Sequence, residues 1–494
     1  MPPSVFLMEV LRMAMGKRKT RQEALFITAD RLPRSGGHPF YKRLNALLAE
    51  FGFDRWIEDR CQQFYEQEKT CGRPSIPPGV YFRMLLVGYF EGIDSQRGIA
   101  WRCADSLSLR EFLGVPLEES TPDHSSLTNI RQRLPEEIFA EVFQFVLRIA
   151  AAKKLLAGKT VGVDSTTLEA NAAMKSIVRR ESGEDWQQYV TRLMHEDAAL
   201  EAQHSNDDHN EDAGDYGPPA STGEELRRFD KKRRKKRVSN DEWVSPSDED
   251  SRIARMKDGR TRLAYKAEHV VDLESDMVLS ATVTPADHAD NQTMVDSVMQ
   301  AQINLQAAGC KTEIEEVAAD KGYHANANLE LSASLDLRTY IPEPARQHKS
   351  RWTNKPNDVQ RAVLNNRCRT RRAKGKQLQR RRSEVCERSF AHVCDTGGAR
   401  RTWLRGLANV GKRYLIAVAA RNLARILAKL FGIGKPRCLQ GAAAAMLASF
   451  HSRGTIWLLQ LAASLLWLTA KFGQSIQQNS NQPAPHQNLA AQAA

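Results

Sequence analysis

The chain has 494 residues, with 72 Lys and Arg against 59 Asp and Glu, for a formal net charge of +13. That length leaves room for two to four domains around a large buried core. The charge excess speaks about partners rather than fold, and nucleic acid is the polyanion it favours. Eight cysteines form no C-x-x-C pair, which excludes a zinc ribbon or a redox motif by spacing and leaves reduced thiols of a cytoplasmic protein.

Residues 1–38 read as an N-terminal extension. Its apolar run at 5–8 is followed by Glu9 and no cleavage-type segment, so a secretory signal is not expected. Residues 39–155 carry helical periodicity throughout and form an all-α N-terminal domain. Ser108-Leu109-Arg110-Glu111 predicts a capping box, with Gly114 as the stop. A further helix starts at Pro135 and lines up Ile138, Val142, Phe145 and Ile149. Between them, 123–133 is polar and basic; Arg131 and Arg133 suit DNA docking, and a plain helical domain with a solvated face is the alternative.

At Thr160 the period becomes strand-like. Residues 156–174 begin an α/β catalytic core that resumes at 261–432, interrupted by a charged, partly disordered insertion at 175–260. The acidic, His-spotted stretch 207–212 in that insertion reads as a solvated loop rather than a metal site. Strands are expected at 263–271 and 277–284, joined by the polar turn 273–276. A helix carrying Met294, Val298 and Leu305 and stopping at Gly309 follows. Next come a strand closing at Asp320, a helix near 326–334 and a strand around 339–341. Strand, hairpin, helix, strand, helix, strand describes a mixed sheet of the ribonuclease-H type. Residues 433–494 read as an apolar helical segment and a low-complexity tail. The run 455–470 is short for a membrane span, which needs ~20 residues, so a packed or peripheral helix is expected and no membrane partner.

Three carboxylates stand out by context. Asp164 lies within a strand, on the face opposite Val161 and Val163; Asp320 ends a strand; Glu387 sits on a helix behind a block of arginines. Two acids on strands and one on a helix would make a hard-oxygen cage for two divalent ions, Mg²⁺ or Mn²⁺, and beside a basic chain that means phosphodiester chemistry on DNA. Glu384, one turn before Glu387, is a second candidate for the third position. Arg371, Arg372, Arg380, Arg381, Arg382 and Arg388 are the expected phosphate contacts, with a solvated cationic helix as the bland reading. Gly322 supplies a turn, and Tyr323 and His324 could stack on a base or simply pack.

Five pieces together resemble bacterial insertion-sequence transposases of the DDE class, in the branch with an N-terminal helical domain. They are Thr-Pro-Asp-His-Ser-Ser-Leu-Thr-Asn-Ile-Arg from Thr121, Val-Gly-Val-Asp-Ser-Thr from Val161, Ala-Asp-His-Ala-Asp-Asn from Ala286, Ala-Asp-Lys-Gly-Tyr from Ala319, and Glu-Arg-Ser-Phe-Ala-His from Glu387. The resemblance spans roughly 39–432. It implies that Asp164, Asp320 and Glu387 are a metal-binding catalytic triad on a ribonuclease-H-like core. It further implies cleavage and strand transfer at double-stranded DNA ends bearing inverted repeats, into target DNA, by at least a homodimer. Related families carry a Lys about two helical turns after the glutamate. Here the region reads His392-Val393-Cys394-Asp395, leaving that contact absent or taken by Arg388, His392 or Arg400. The tail beyond Gly434 does not resemble the family's usual end. A nuclease that cuts without joining, and a non-catalytic DNA-binding descendant, are the alternatives.

Overall fold

The computed structural model describes residues 37–65, 75–205, 222–232, 239–256, 258–345 and 356–436. Seven helices come first: α1 (Pro39–Glu50), α2 (Phe53–Cys61), α3 (Pro78–Glu91), α4 (Gln96–Ala104), α5 (Leu107–Leu113), α6 (His124–Arg133) and α7 (Glu136–Ala152). Their ends follow from local chemistry. Asp123 caps α6 by accepting the Ser125 N–H at 2.8 Å, and Glu136 and Glu137 favour the positive end of α7. The expected cap at Ser108 is corrected to Ser106, whose hydroxyl takes the Leu109 N–H at 3.3 Å; Ser108 instead accepts the His38 N–H at 2.9 Å. Gly114 ends α5 at φ 70°, as a left-handed stop requires. Arg83, almost fully buried, ties the helices together through paired bonds to Asp54 and one each to Asn45 and the Phe112 carbonyl.

The sheet is built from β1 (Thr160–Glu169), β4 (Arg252–Arg255), β5 (Thr261–Asp272), β6 (Val278–Pro285), β7 (Glu316–Ala319) and β8 (Arg338–Tyr340). β5 runs antiparallel to β1, β4 and β6, whereas β1, β7 and β8 run parallel, in the order β4-β5-β1-β7-β8 with β6 also on β5. α10 (Asp290–Ala307) packs on one face; α13 (Ala373–Phe390) and α14 (Leu407–Phe431) lie on the other. α11 (Asn326–Ser334) and α12 (Asn357–Arg371) support the β8 side.

Two buried asparagines dock helices by imitating a strand partner. Asn422 of α14 takes the Val278 N–H at 3.0 Å and donates to its carbonyl at 2.8 Å. Asn366 of α12 does the same for Ile341, at 3.0 and 2.8 Å. The turn at 273–276 is not merely polar. Asp276, at φ 62° and 1% exposed, holds Arg388, Arg421 and Arg425. The helical region and the sheet share one core, since α7 packs on α14 and α10 and Gln144 bonds Asn304 at 3.0 Å.

The segment expected as a loose insertion contains β2 (Val178–Arg179), β3 (Trp243–Val244), α8 (Trp186–Ser205) and α9 (Gly223–Lys232), and its last part, β4, joins the main sheet. A few buried apolar side chains, Val190, Leu226 and Trp243, order it despite the charged composition. The stretch 207–212, the basic run 233–237 and the apolar run 455–470 lie outside the described residues. No helix among the described residues is long and apolar enough to cross a membrane.

Candidate active site

β1 and β7 pair in parallel register from Thr160 opposite Glu316 to Val163 opposite Ala319. Asp164 is the next residue of β1 and Asp320 directly follows β7 in extended backbone, so the two carboxylates leave the sheet at the same level from strands ~4.8 Å apart. Asp164 Oδ1 accepts the Ser165 N–H at 2.9 Å, and its Oδ2 accepts from Arg382 Nη1 at 2.9 Å. Asp320 caps the one-turn helix Lys321–Tyr323, accepting the Lys321 N–H at 2.7 Å.

α13 crosses the sheet over these strands. Lys374 pairs with Glu316, Gln379 donates to the carbonyls of Ala319 and Tyr340, Arg382 reaches Asp164, and Phe390 stacks on His269 at 4.1 Å. Gly162 permits this contact: a Cβ there would fall 2.7 Å from Leu273 Cδ2 and 3.1 Å from Cys386 Sγ. The helix flanks differ. Arg381, Glu384 and Arg388 bond one another, Leu273 and Asp276, turning Glu384 toward the Thr160 end of β1. Gln379, Ser383 and Glu387 share the other flank at i, i+4, i+8, the flank that reaches the end of β7. Glu387 is exposed, takes the Ser383 hydroxyl at 2.8 Å, and lies five residues past Arg382, ~7–8 Å along the axis. Among the described residues, no three His, Cys, Asp or Glu side chains stand close enough to form a ready-made metal cluster. The fold therefore brings Asp164 beside Asp320 and leaves Glu387 short of a closed cage.

Two family models match the chain: a transposase domain (DUF772) over residues 29–133, and the transposase DDE domain over residues 237–423. The protein belongs to the DDE transposases of insertion sequences. No curated protein and no solved structure matches it. The DDE-domain match contains Asp320 and Glu387 and begins after Asp164.

Behind the two aspartates, the transposase carries a buried polar network that periodicity alone misassigns. Lys266 and Glu268 alternate with apolar residues on β5, a pattern normally read as a solvent face. Both are buried, beneath the start of α10. Lys266 pairs with Asp290 at 2.6 Å, and Ser165, next to Asp164, donates to the same carboxylate at 2.7 Å. Glu268 accepts from Thr293 and from Tyr323, each at 2.8 Å. Burial pushes the Glu268 carboxyl above its usual range, against those hydrogen bonds. Tyr323 is thus an anchor for the turn that carries Asp320 rather than an exposed stacking surface. Gly322 has a close-approach role: a Cβ there would lie 3.0 Å from Asp290 Oδ2.

The arginines of the transposase divide by helix face. Arg371, Arg372 and Arg380 are exposed. Arg381, Arg382 and Arg388 are committed within the protein, to Leu273 and Glu384, to Asp164, and to Asp276 and Glu384 respectively, because α13 presents that side to the sheet. Arg133 lies over the Tyr65 ring at 4.8 Å, and Arg131 turns inward, its Nε and Nη1 shut off from solvent. Where the related families' Lys would fall, His392 is half-buried with its pKa pulled down to about 4, chiefly by burial, and Arg400 pairs with Asp395.

Proposed function

We propose that this transposase cleaves phosphodiester bonds at the ends of its insertion element and transfers the freed strands to target DNA, on a ribonuclease-H-like core. The single observation that carries the reading is the parallel register that sets Asp164 beside Asp320. The strand order, with an antiparallel β6-β5-β1 side and parallel β7 and β8, supports the fold assignment. The donor set suits hard divalent ions: Asp164, Asp320 and Glu387 offer only carboxylate oxygens. Mg²⁺ or Mn²⁺ held there would supply electrostatic stabilisation of both the entering and the leaving oxygen.

Within this reading, Arg382 guards Asp164 and yields it when the site is loaded. Glu387 completes the set from the flank of α13 that faces the end of β7, whereas Glu384 is bound to Arg381 and Arg388. Ser165, Asp290, Tyr323 and Glu268 fix the backbone on either side of the two aspartates. Arg371 at the end of α12, Arg372 at the junction and Arg380 on α13 meet phosphates. In the first step a water oxygen bonds to phosphorus as the P–O3′ bond breaks. The released 3′-hydroxyl then attacks a target phosphate, displacing the target's own 3′-oxygen.

The test is incubation of the full chain with Mn²⁺ and DNA carrying the element's ends, scored for nicked and joined products. Joined product lost on Asp164→Asn and Asp320→Asn is expected. Cleavage without joining would make the protein a nuclease, and absence of both would leave a DNA-binding descendant.

A further inference from the structure

A cavity of about 250 Å³ lies where the helical region meets α14 and the loop after α13. Tyr81, Phe139 and Trp403 contribute aromatic walls, and Asp94, Arg131 and Arg413 contribute charge. The charges are poorly satisfied. Arg131 Nε and Nη1 are buried without a hydrogen-bond partner, as is Asp94 Oδ1. Arg413 Nη2 stands 3.6 Å from that oxygen, too far for a hydrogen bond. Asp94 faces Arg413 and not Arg131, and burial lowers the pKa of both arginines. Native proteins rarely leave buried donors unmet without a reason, and a ligand is one such reason.

We infer that this cavity is a binding site for a single unstacked nucleotide. The ligand must offer acceptors to Arg131 and Arg413, a donor to Asp94 Oδ1, and a flat apolar face to the aromatic walls. A nucleotide offers all three: phosphate and carbonyl oxygens, base N–H groups, and a π-face. The volume is below that of a drug-sized pocket, which limits the occupant to about one such unit. A third cation, Arg401, lies over the half-exposed Trp403 ring at 4.9 Å.

The site is also coupled to the sheet. Thr402 N–H donates to the Glu169 carbonyl, and Glu169 N–H to the Arg400 carbonyl, both at 2.9 Å. The cavity wall is therefore bonded to the strand that carries Asp164. This inference needs a nucleotide as ligand but not the metal-dependent chemistry, so either can fail alone.

The experiment uses the full chain with two probes. One is the set of four 5′-deoxymononucleotides, compared with inorganic phosphate by ligand-observed NMR. The other is a short duplex with one unpaired 2-aminopurine, followed by fluorescence and compared with the fully paired duplex. Binding of the mononucleotides points to a free nucleotide, and binding of the unpaired base alone points to DNA; either supports the site. In both cases Trp403→Ala and Arg131→Met should weaken binding at least tenfold. Arg131→Met should also keep or raise the melting temperature, because the arginine's burial is uncompensated. The inference is overturned if phosphate binds as tightly as nucleotides. It is equally overturned if neither probe distinguishes the variants from wild type, or if Arg131→Met loses several degrees while binding persists.

Discussion

Replacing Arg382 by Gln should make the transposase bind Mn²⁺ more tightly. Arg382 and Asp164 meet at 2.9 Å with side chains 10% and 24% exposed, so their hydrogen bond is little screened. Charge-assisted bonds of this kind contribute about 1.5–3 kcal/mol. The lower part of that range applies, since Arg382 Nε is buried with no partner and its desolvation is only partly offset. An ion bound at Asp164 must displace that bond. Taking ~2 kcal/mol and ~1.4 kcal/mol per decade, the variant gains about 25-fold in affinity. Repulsion between the guanidinium and a divalent cation makes this a floor. Calorimetric titration of the full chain with Mn²⁺ measures it, and without metal the variant should melt below wild type. Equal or weaker Mn²⁺ binding by Arg382→Gln would refute the reasoning, because the arginine would then not compete for the site.

Glu387→Gln should cut cleavage by more than about a hundredfold, exceeding the usual loss for a residue outside the coordination shell. Glu384→Gln should leave activity within a few-fold and barely move the melting temperature, as for an exposed ion pair; steady-state nicking rates separate the two. The raised pKa of Glu268 makes a signed pH prediction. Its stabilising effect is full below the unfolded value of 4.5 and is lost as pH rises through the folded value. The melting temperature of Glu268→Gln should therefore gain on wild type as pH rises from ~4.5 toward neutrality. A constant difference would count against a buried, ionising carboxyl. Substituting Arg371, Arg372 and Arg380 together by Gln should lower the slope of log affinity against log salt by about 2.7, at ~0.9 per phosphate contact. An unchanged slope would remove these three arginines, across the α12–α13 junction, from the DNA interface.

Local signals were legible in this chain wherever the chemistry is local. The change of period at Thr160, the helix Asn326–Ser334 and the stop at Gly114 follow from neighbouring residues alone. Neighbourhood across the sheet is not local. Asp164 and Asp320 become adjacent only through the parallel pairing of β1 with β7, and no residue near either one encodes that register. Context also decides which arginines face water. The block before Glu387 reads as one cationic surface, yet Arg381 and Arg382 are committed to Leu273 and Asp164, as Arg388 just beyond Glu387 is to Asp276. Lys266 and Glu268 left a readable trace, two charges inside a long apolar strand, but the alternation rule assigns such residues to solvent. The start of α10 folding over that face, together with Tyr323, gives them partners. Ser106 and Ser108 compete for the same cap, and the contact from Ser108 to His38, 70 positions away, settles which one caps.

The most direct measurement is anomalous diffraction from crystals of the protein grown with Mn²⁺ and a DNA end. The account predicts a manganese peak bonded at ~2.1–2.2 Å by oxygens of both Asp164 and Asp320, with Glu387 turned toward it. A peak held elsewhere, or none at these two aspartates in crystals whose protein still cuts DNA, would contradict it.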